Sequence, residues 1–181
     1  KAVELVTQSL DRLGVCNRLN LLLVDRRAAP LLRSVLPAVR GLGIEIRATD
    51  RAGRVATSDV EQLDVTIGHE WANDSERVST VTLDVVEGVD EAVQIANDET
   101  SGLAAGVVAE SEEAATTFLD GYRGTAAFWH ATTRFTDGFA LTGAPETGIN
   151  VDSSPGPRGP VTYRDLWLRQ YRVIGDGSQR R

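Results

Sequence analysis

The chain has 181 residues, of which 41% are apolar and 25% charged, a composition typical of a globular domain with a core of its own. Its formal net charge of -7 argues against nucleic acid as a partner, because phosphate backbones are bound by clustered Lys and Arg. No apolar run approaches the roughly 20 residues of a membrane span, and the N-terminus lacks the layout of a secretion signal. We therefore expect a cytoplasmic protein without a membrane partner, and the lone Cys16 is then a free thiol in a reducing compartment.

The start of the chain suggests a domain taken from a longer protein. No methionine is present and the first residue is Lys1, so we expect that residues precede it in the natural protein. Apolar residues recur at helical spacing from residue 2 to residue 13, which predicts a helix beginning at the very first residues.

The next segments alternate between strand and helix patterns. Residues 19–24 are almost continuously apolar, as buried parallel strands are. Residues 26–43 carry apolar side chains at three-four spacing and are predicted to form a helix, and residues 44–47 alternate as a short strand does. Residues 50–64 are polar, and no element is assigned to them.

The second half repeats the alternation more clearly. Strands are predicted over 81–85, 105–109 and 126–129, and helices over 89–97 and 111–122, the latter capped by Ser111. Alternation at this pitch predicts an α/β fold, with an open, mainly parallel sheet and flanking helices.

The last part of the chain is rich in Gly, Pro and Thr. Residues 153–160 hold three prolines and are predicted to form an irregular, stiff loop, while residues 171–174 fit a final strand. We accordingly divide the chain into an α/β domain over 1–150 and a Pro/Gly loop with a C-terminal tail over 151–181.

Several familiar sites have no support in the sequence. Neither a Gly-x-Gly-x-x-Gly fingerprint nor a phosphate loop is present, so no nucleotide site is visible. His69 and His130 lack a second histidine at helical spacing, so no metal site is expected. A serine hydrolase would need a Gly-x-Ser-x-Gly elbow, which is also missing.

The most informative segment surrounds Cys16. The run Leu13-Gly14-Val15-Cys16-Asn17 lies between a predicted helix and a predicted buried strand, where backbone amides can stabilise a thiolate and an oxyanion. A Cys-Asn pair followed by Leu22-Leu23-Val24 resembles the active-site segment of the gamma-glutamyl phosphate reductases, which belong to the aldehyde dehydrogenase superfamily. An inert, buried cysteine is the competing interpretation.

The resemblance to this family continues in order along the chain. The matching segments, from N- to C-terminus, are 89–97, 101–107, 133–138, 148–149, 158–160 and 175–177. This collinearity implies the catalytic domain of an aldehyde dehydrogenase-like fold.

The resemblance also implies an activity. An NADPH-dependent oxidoreductase of proline biosynthesis would convert glutamate 5-phosphate to glutamate 5-semialdehyde, with the Cys16 thiolate attacking the acyl phosphate and NADPH reducing the thioester. NADPH would be bound mainly by residues outside this chain, with Glu76 as the one candidate cofactor-binding residue within it. A small-molecule substrate and a homo-oligomeric full-length protein are implied as well.

Four residues are candidates for binding the substrate: Asn17, Thr133, Arg134 and Arg158. The guanidinium fork of Arg134 fits a carboxylate or a phosphate, but an ion pair with Asp137 or another acid explains it equally well. Asn17 and Thr133 are either supporting donors or turn and cap residues.

Several positions depart from the family pattern near the expected site. Asn20-Leu21 replaces a Glu-Thr pair, His130 stands where the family has Asn, and Pro145 interrupts a Gly-Ala-Glu run. These changes favour altered specificity, since discrimination depends on matched polar partners. Two alternatives remain open: an aldehyde dehydrogenase-type domain with another substrate, and a non-catalytic assembly domain derived from the family.

Overall fold

A computed structural model describes residues 1–56, 61–62, 79–150, 159–166, 170–172 and 174, with the backbone alone at 61–62. The α-helices are α1 (Ala2–Ser9), α2 (Leu32–Gly41), α3 (Asp50–Gly53), α4 (Val89–Asp98), α5 (Glu112–Gly121) and α6 (Gly138–Thr142). The strands are β1 (Leu21–Asp25), β2 (Glu45–Ala48), β3 (Glu61–Gln62), β4 (Thr80–Val86), β5 (Ala104–Val107), β6 (Ala126–Trp129), β7 (Glu146–Asn150) and β8 (Gly159–Thr162). None of the helices in these ranges combines the length and the apolar character of a membrane span.

The main sheet has four parallel strands in the order β1-β4-β2-β3. Strand β4 lies between β1 and β2, and Leu83 and Val85 near its middle are fully buried. The apolar faces of α1 and α2 pack with this sheet in one large cluster, to which α2 contributes Val35 and Val39. The predicted open, mainly parallel sheet with flanking helices is confirmed.

The later part of the chain forms two further strand pairs. Strands β5 and β6 are parallel, and α4 and α5 pack with them in a smaller cluster built on Ala96, Phe118 and Tyr122. Ser111 caps α5 as predicted, because its hydroxyl accepts a hydrogen bond from the Ala114 N–H at 3.2 Å. Strands β7 and β8 pair in antiparallel fashion.

Three sequence expectations need correction. Residues 26–43 do not form one helix: Arg26–Leu31 is a 3-10 helix, because the Asp25 carboxylate caps it and Pro30 has no N–H to extend an α-helical ladder. Residues 153–160 were expected to be irregular throughout, yet the last two of them begin β8, where a proline is tolerated at the start of an edge strand.

The expected final strand over 171–174 is also wrong for its described residues. Tyr171, Arg172 and Ile174 belong to no strand, and the two apolar side chains are 76% and 93% exposed. Strand formation depends on pairing in the fold as well as on β-propensity, and none of the strands in the described residues includes this segment. The division at residue 150 stays a prediction, although β8 beyond it pairs with β7 before it.

Candidate functional site

Cys16 lies in a tight loop between α1 and β1. A turn is closed by the Arg18 N–H donating to the Val15 carbonyl at 3.2 Å, and the Leu19 N–H donates to the Ser9 carbonyl at 2.8 Å. The Cys16 side chain is exposed. The competing interpretation is therefore wrong in placing this thiol in a buried position, and the reactivity of Cys16 stays a prediction.

The two residues after Cys16 anchor the loop. Asn17 and Arg18 are both buried, whereas Cys16 beside them is not. Arg18 Nη2 donates to Ser79 Oγ at 2.8 Å and to the Thr80 carbonyl at 3.1 Å, which fastens the loop to the start of β4. The backbone that carries the thiol is thus fixed by the hydrogen bonds of its neighbours. A nucleophile needs such fixed positioning.

Asn17 joins the loop to the 3-10 helix Thr133–Phe135. Its Nδ2 donates to the Thr136 carbonyl at 2.8 Å and to the Arg134 carbonyl at 3.3 Å, while Thr133 Oγ1 donates to the Asn17 carbonyl at 2.8 Å. The structure therefore brings Cys16, Asn17, Thr133 and Arg134 together from positions more than 100 residues apart. Both amide protons of Asn17 are engaged with the protein, so its side chain fixes the turn.

Arg134 is held by two acceptors. Nε donates to Asp11 Oδ1 at 2.9 Å, and Nη1 donates to Asn17 Oδ1. Arg134 therefore forms its ion pair with Asp11 and not with Asp137. The Asp137 carboxylate instead caps α6 by accepting hydrogen bonds from the Phe139 and Ala140 N–H groups. Nη2 of Arg134 has no partner among the described residues, and the side chain keeps a partly exposed face.

A groove of about 320 Å³ opens beside the cysteine loop. Its wall is mainly apolar, and Cys16, Asn17 and Thr133 contribute to it. Arg158 and Glu76, the remaining candidate site residues, lie outside the described residues. In the described part of the chain, no group of three or more His, Cys, Asp or Glu side chains is arranged to hold a metal ion.

Three supporting residues were not found from the sequence: Ser9, Asp11 and Thr132. The hydroxyls of Ser9 and Thr132 hydrogen-bond at 2.8 Å, and Thr132 Oγ1 also accepts from the Arg134 N–H at 3.2 Å. The consecutive threonines before Arg134 were a weak cap signal. The sequence around Ser9 and Asp11 gave no signal for their role, because their partners are more than 120 residues away.

One departure from the family pattern has a simple backbone explanation. His130, which stands where the family has Asn, follows β6 with a φ of 58°. Asn and His both adopt this left-handed conformation more readily than most residues. A histidine is therefore compatible with the backbone conformation at this position.

A buried electrostatic network lies outside the cysteine loop. The Asp84 carboxylate in β4 accepts hydrogen bonds from Arg51 Nε at 2.8 Å, Arg51 Nη2 at 2.6 Å and Thr49 Oγ1. Burial raises the pKa of Asp84, but the bonds from Arg51, Thr49 and the Val85 N–H outweigh burial and hold this pKa below its ordinary value. Asp84 in turn raises the pKa of Arg51, so the pair is charged and structural.

Comparison with known proteins identifies relatives along nearly the whole chain. The chain is 30% identical over 179 residues to the gamma-glutamyl phosphate reductase of Trichodesmium erythraeum, covering 98% of this chain and 40% of that protein. It is 32% identical over 176 residues to the gamma-glutamyl phosphate reductase of Pelotomaculum thermopropionicum, covering 97% of this chain and 38% of the relative. No family model matches the chain.

Solved structures agree with these sequence relatives. The crystal structure of gamma-glutamyl phosphate reductase from Thermotoga maritima superposes with a TM-score of 0.84 at 26% identity, covering 99% of this chain and 42% of that one. The Saccharomyces cerevisiae protein of the same name superposes with a TM-score of 0.56 at 22% identity over 77% of this chain, a likeness of fold alone. The chain thus spans about two fifths of the length of the proteins it matches.

Proposed function

We propose that this chain, which is similar along nearly its whole length to about two fifths of the gamma-glutamyl phosphate reductases it matches, is the cysteine-bearing part of an acyl-phosphate reductase of that family. The substrate proposed is glutamate 5-phosphate and the product glutamate 5-semialdehyde. The observation that carries the proposal is that Cys16 is exposed on a loop which Asn17 anchors to the 3-10 helix Thr133–Phe135.

In the first half-reaction, the Cys16 thiolate attacks the carbonyl carbon of the acyl phosphate. A bond forms between Sγ and that carbon, the bond from the carbon to the phosphate oxygen breaks, and phosphate leaves with the electron pair. The product on the chain is a thioester. Exposure of the thiol allows this attack, and the buried neighbours Asn17 and Arg18 keep its backbone in position.

Arg134 is the proposed anion-binding group. Two of its nitrogens are occupied by Asp11 and Asn17, which hold the guanidinium rigidly, and Nη2 is left to meet a carboxylate or phosphate oxygen. Asn17 and Thr133 act in this proposal as positioning residues, since their polar atoms bind the protein. Arg158 stays a proposed substrate-binding residue.

The second half-reaction needs a hydride donor, which NADPH supplies when bound. The sequence carries no dinucleotide fingerprint, and the described residues form no glycine-rich strand-turn-helix unit. We therefore assign cofactor binding to polypeptide outside the described residues, with Glu76 as the proposed contribution from this chain. A cytoplasmic homo-oligomer is part of the same proposal.

Acyl transfer can be tested without the cofactor. The 181-residue protein is incubated with acetyl phosphate, a small acyl phosphate, and the peptide containing Cys16 is followed by mass spectrometry. We expect acylation at Cys16 that neutral hydroxylamine removes, as it does from thioesters, together with release of phosphate. Arg134→Gln should slow the acylation by about tenfold or more, the value of one charge-assisted hydrogen bond.

Two matched variants control the experiment. Cys16→Ser should show only background acylation of amines, which resists hydroxylamine. Arg26→Gln removes a guanidinium that pairs with Glu87 on the surface and should acylate at the wild-type rate. Acylation of other groups at the same rate as Cys16, or an unchanged rate in Arg134→Gln, would contradict the assigned roles.

A further inference from the structure

Asp11 and Arg134 form a charge pair beside the cysteine loop, and neither group is fully used by the other. Arg134 Nε donates to Asp11 Oδ1 at 2.9 Å, whereas Asp11 Oδ2 and Arg134 Nη2 have no partner in the described part of the chain. The side chain of Asp11 is 60% exposed, so a ligand can reach it from solvent. The pair therefore offers a free acceptor and a free donor next to each other.

A second contact fixes the position of this pair. Ser9 Oγ and Thr132 Oγ1 hydrogen-bond at 2.8 Å, and these residues precede Asp11 and Arg134 by the same spacing in the chain. Ser9 is buried, and Thr132 Oγ1 also accepts a hydrogen bond from the Arg134 N–H at 3.2 Å. The segments 9–11 and 132–134 are thus joined at two points, which holds Asp11 beside Arg134 although its carboxylate meets water.

The charge pair lies close to the proposed nucleophile. Arg134 Nη1 donates to Asn17 Oδ1, and Asn17 directly follows Cys16 in the chain. Consecutive Cα atoms are only about 3.8 Å apart. A ligand whose reacting carbon lies at Cys16 Sγ therefore needs only a short extension to bring charged groups to Asp11 and Arg134.

Opposite charges held side by side are complementary to a zwitterion. Glutamate 5-phosphate carries an α-ammonium and an α-carboxylate on one carbon, and a short carbon chain connects that carbon to the acyl phosphate. Arg134 Nη2 can donate to the α-carboxylate while Asp11 accepts from the α-ammonium. A similar molecule without the ammonium would bring a carboxylate toward the Asp11 charge with no cation to compensate for it.

We propose that Asp11 is a specificity-determining residue, which selects ligands that carry an α-ammonium next to the carboxylate bound by Arg134. The inference rests on the proposed function, because it assigns the head group of the same substrate, but it concerns binding and not acyl transfer. The favoured substrate class is thus an α-amino acid activated at its side-chain carboxyl. Acyl phosphates of simple dicarboxylic acids are disfavoured.

Protection of Cys16 from iodoacetamide measures binding without any acyl transfer. The 181-residue protein is alkylated in the presence of L-glutamate or of glutarate, which has the same carbon chain and both carboxylates but no ammonium. Mass spectrometry of the intact protein gives the half-protecting concentration of each ligand. L-Glutamate should protect the wild type at a concentration at least about threefold lower than glutarate, as expected for one partly exposed ion pair. NMR titration of the Asn17 amide signal measures the same two affinities independently of the thiol.

Asp11→Asn separates a ligand-binding role from a structural one. Loss of the carboxylate charge should weaken binding of L-glutamate and strengthen binding of glutarate, so the preference disappears or reverses. If Asp11 only held Arg134 in place, both ligands would weaken by the same factor. Asp11→Glu keeps the charge and should keep the preference, whereas Arg134→Gln should weaken both ligands by at least about threefold.

Glu113→Gln is the matched control. It removes an exposed carboxylate from α5 and changes the net charge by the same amount as Asp11→Asn, so both half-protecting concentrations should stay at their wild-type values. Equal affinities of the two ligands in the wild type, or an unchanged preference in Asp11→Asn, would overturn the proposal. So would the absence of L-glutamate binding in both measurements.

The acetyl phosphate experiment distinguishes this inference from the proposed function. A protein that prefers L-glutamate through Asp11 but is not acylated at Cys16 would support the role of Asp11 and contradict acyl transfer. A protein that is acylated at Cys16 but binds L-glutamate and glutarate equally would keep acyl transfer and refute the role of Asp11.

Discussion

Asn17 makes four tertiary hydrogen bonds with the segment Thr133–Thr136, and it makes them from a buried position. Asn17→Ala would leave the Thr136 and Arg134 carbonyls and one Arg134 donor without their partner. We expect a loss of about 2–3 kcal/mol in the free energy of unfolding, as for other unsatisfied buried groups. Urea unfolding followed by circular dichroism measures this loss.

The control for this prediction is Asp11→Asn. Asp11 also binds Arg134, but its side chain is largely exposed, so the variant should lose less than about 0.5 kcal/mol. Equal losses in the two variants would show that the Asn17 amide does not hold the turn.

At the scale of elements, the buried Asp84 carboxylate ties β4 to the start of α3 and, through Arg51, to α4. Its lowered pKa makes the network a source of pH-dependent stability. A carboxyl whose pKa is lower in the folded than in the unfolded state stabilises the fold fully above its unfolded pKa, near 3.8. That stabilisation is lost as the pH falls below 3.8 through the folded value.

Asp84→Asn should therefore cost about 3 kcal/mol at pH 7, near the low end for broken buried pairs because Arg51 keeps part of its side chain in water. The cost should shrink when unfolding is measured near pH 3, where the wild type has begun to lose the same contribution. Glu87→Gln, which removes the exposed pair with Arg26, should change stability by less than about 0.5 kcal/mol at either pH. A cost for Asp84→Asn that is independent of pH would contradict the assignment.

The elements that the sequence predicted are those with a local signal. Helices α4 and α5 carry apolar side chains at helical spacing, β4 carries them at alternate positions, and β6 is a short apolar run, so the local pattern was enough to find them. Helices α3 and α6 have only four and five residues and depend on caps from Thr49 and Asp137. No periodicity exists at such lengths, so the sequence left them unassigned.

The candidate site could likewise be predicted only in part. Cys16 and Arg134 could be selected from their chemistry and from the family resemblance. Their physical connection could not, because the contacts between residues 17 and 133–136 depend on how α1 and the 3-10 helix meet in the fold. The engagement of the Asn17 amide by backbone carbonyls likewise becomes visible only in three dimensions.

On the scale of the whole molecule, the apolar residues fall into two clusters of unequal size. Counted over the described residues, the first lies around β4 and has 14 buried residues, and the second has only three, on α4, on α5 and at Tyr122 directly after α5. Because little buried apolar surface stabilises β5 and β6, we expect these strands to open without unfolding of the main sheet. Native-state hydrogen exchange should show β4 amides exchanging about a hundredfold more slowly than β6 amides. Equal rates in β4 and β6 would mean that the chain opens as one unit.

The protein's lone cysteine has a practical consequence. Cys16 is exposed and forms part of the groove wall, and no other thiol is present to compete for a label. A fluorophore or nitroxide attached there would report on occupancy of the groove in the otherwise native sequence. The residue proposed to carry the acyl group is thus also a specific labelling site from which binding in the adjacent groove can be measured.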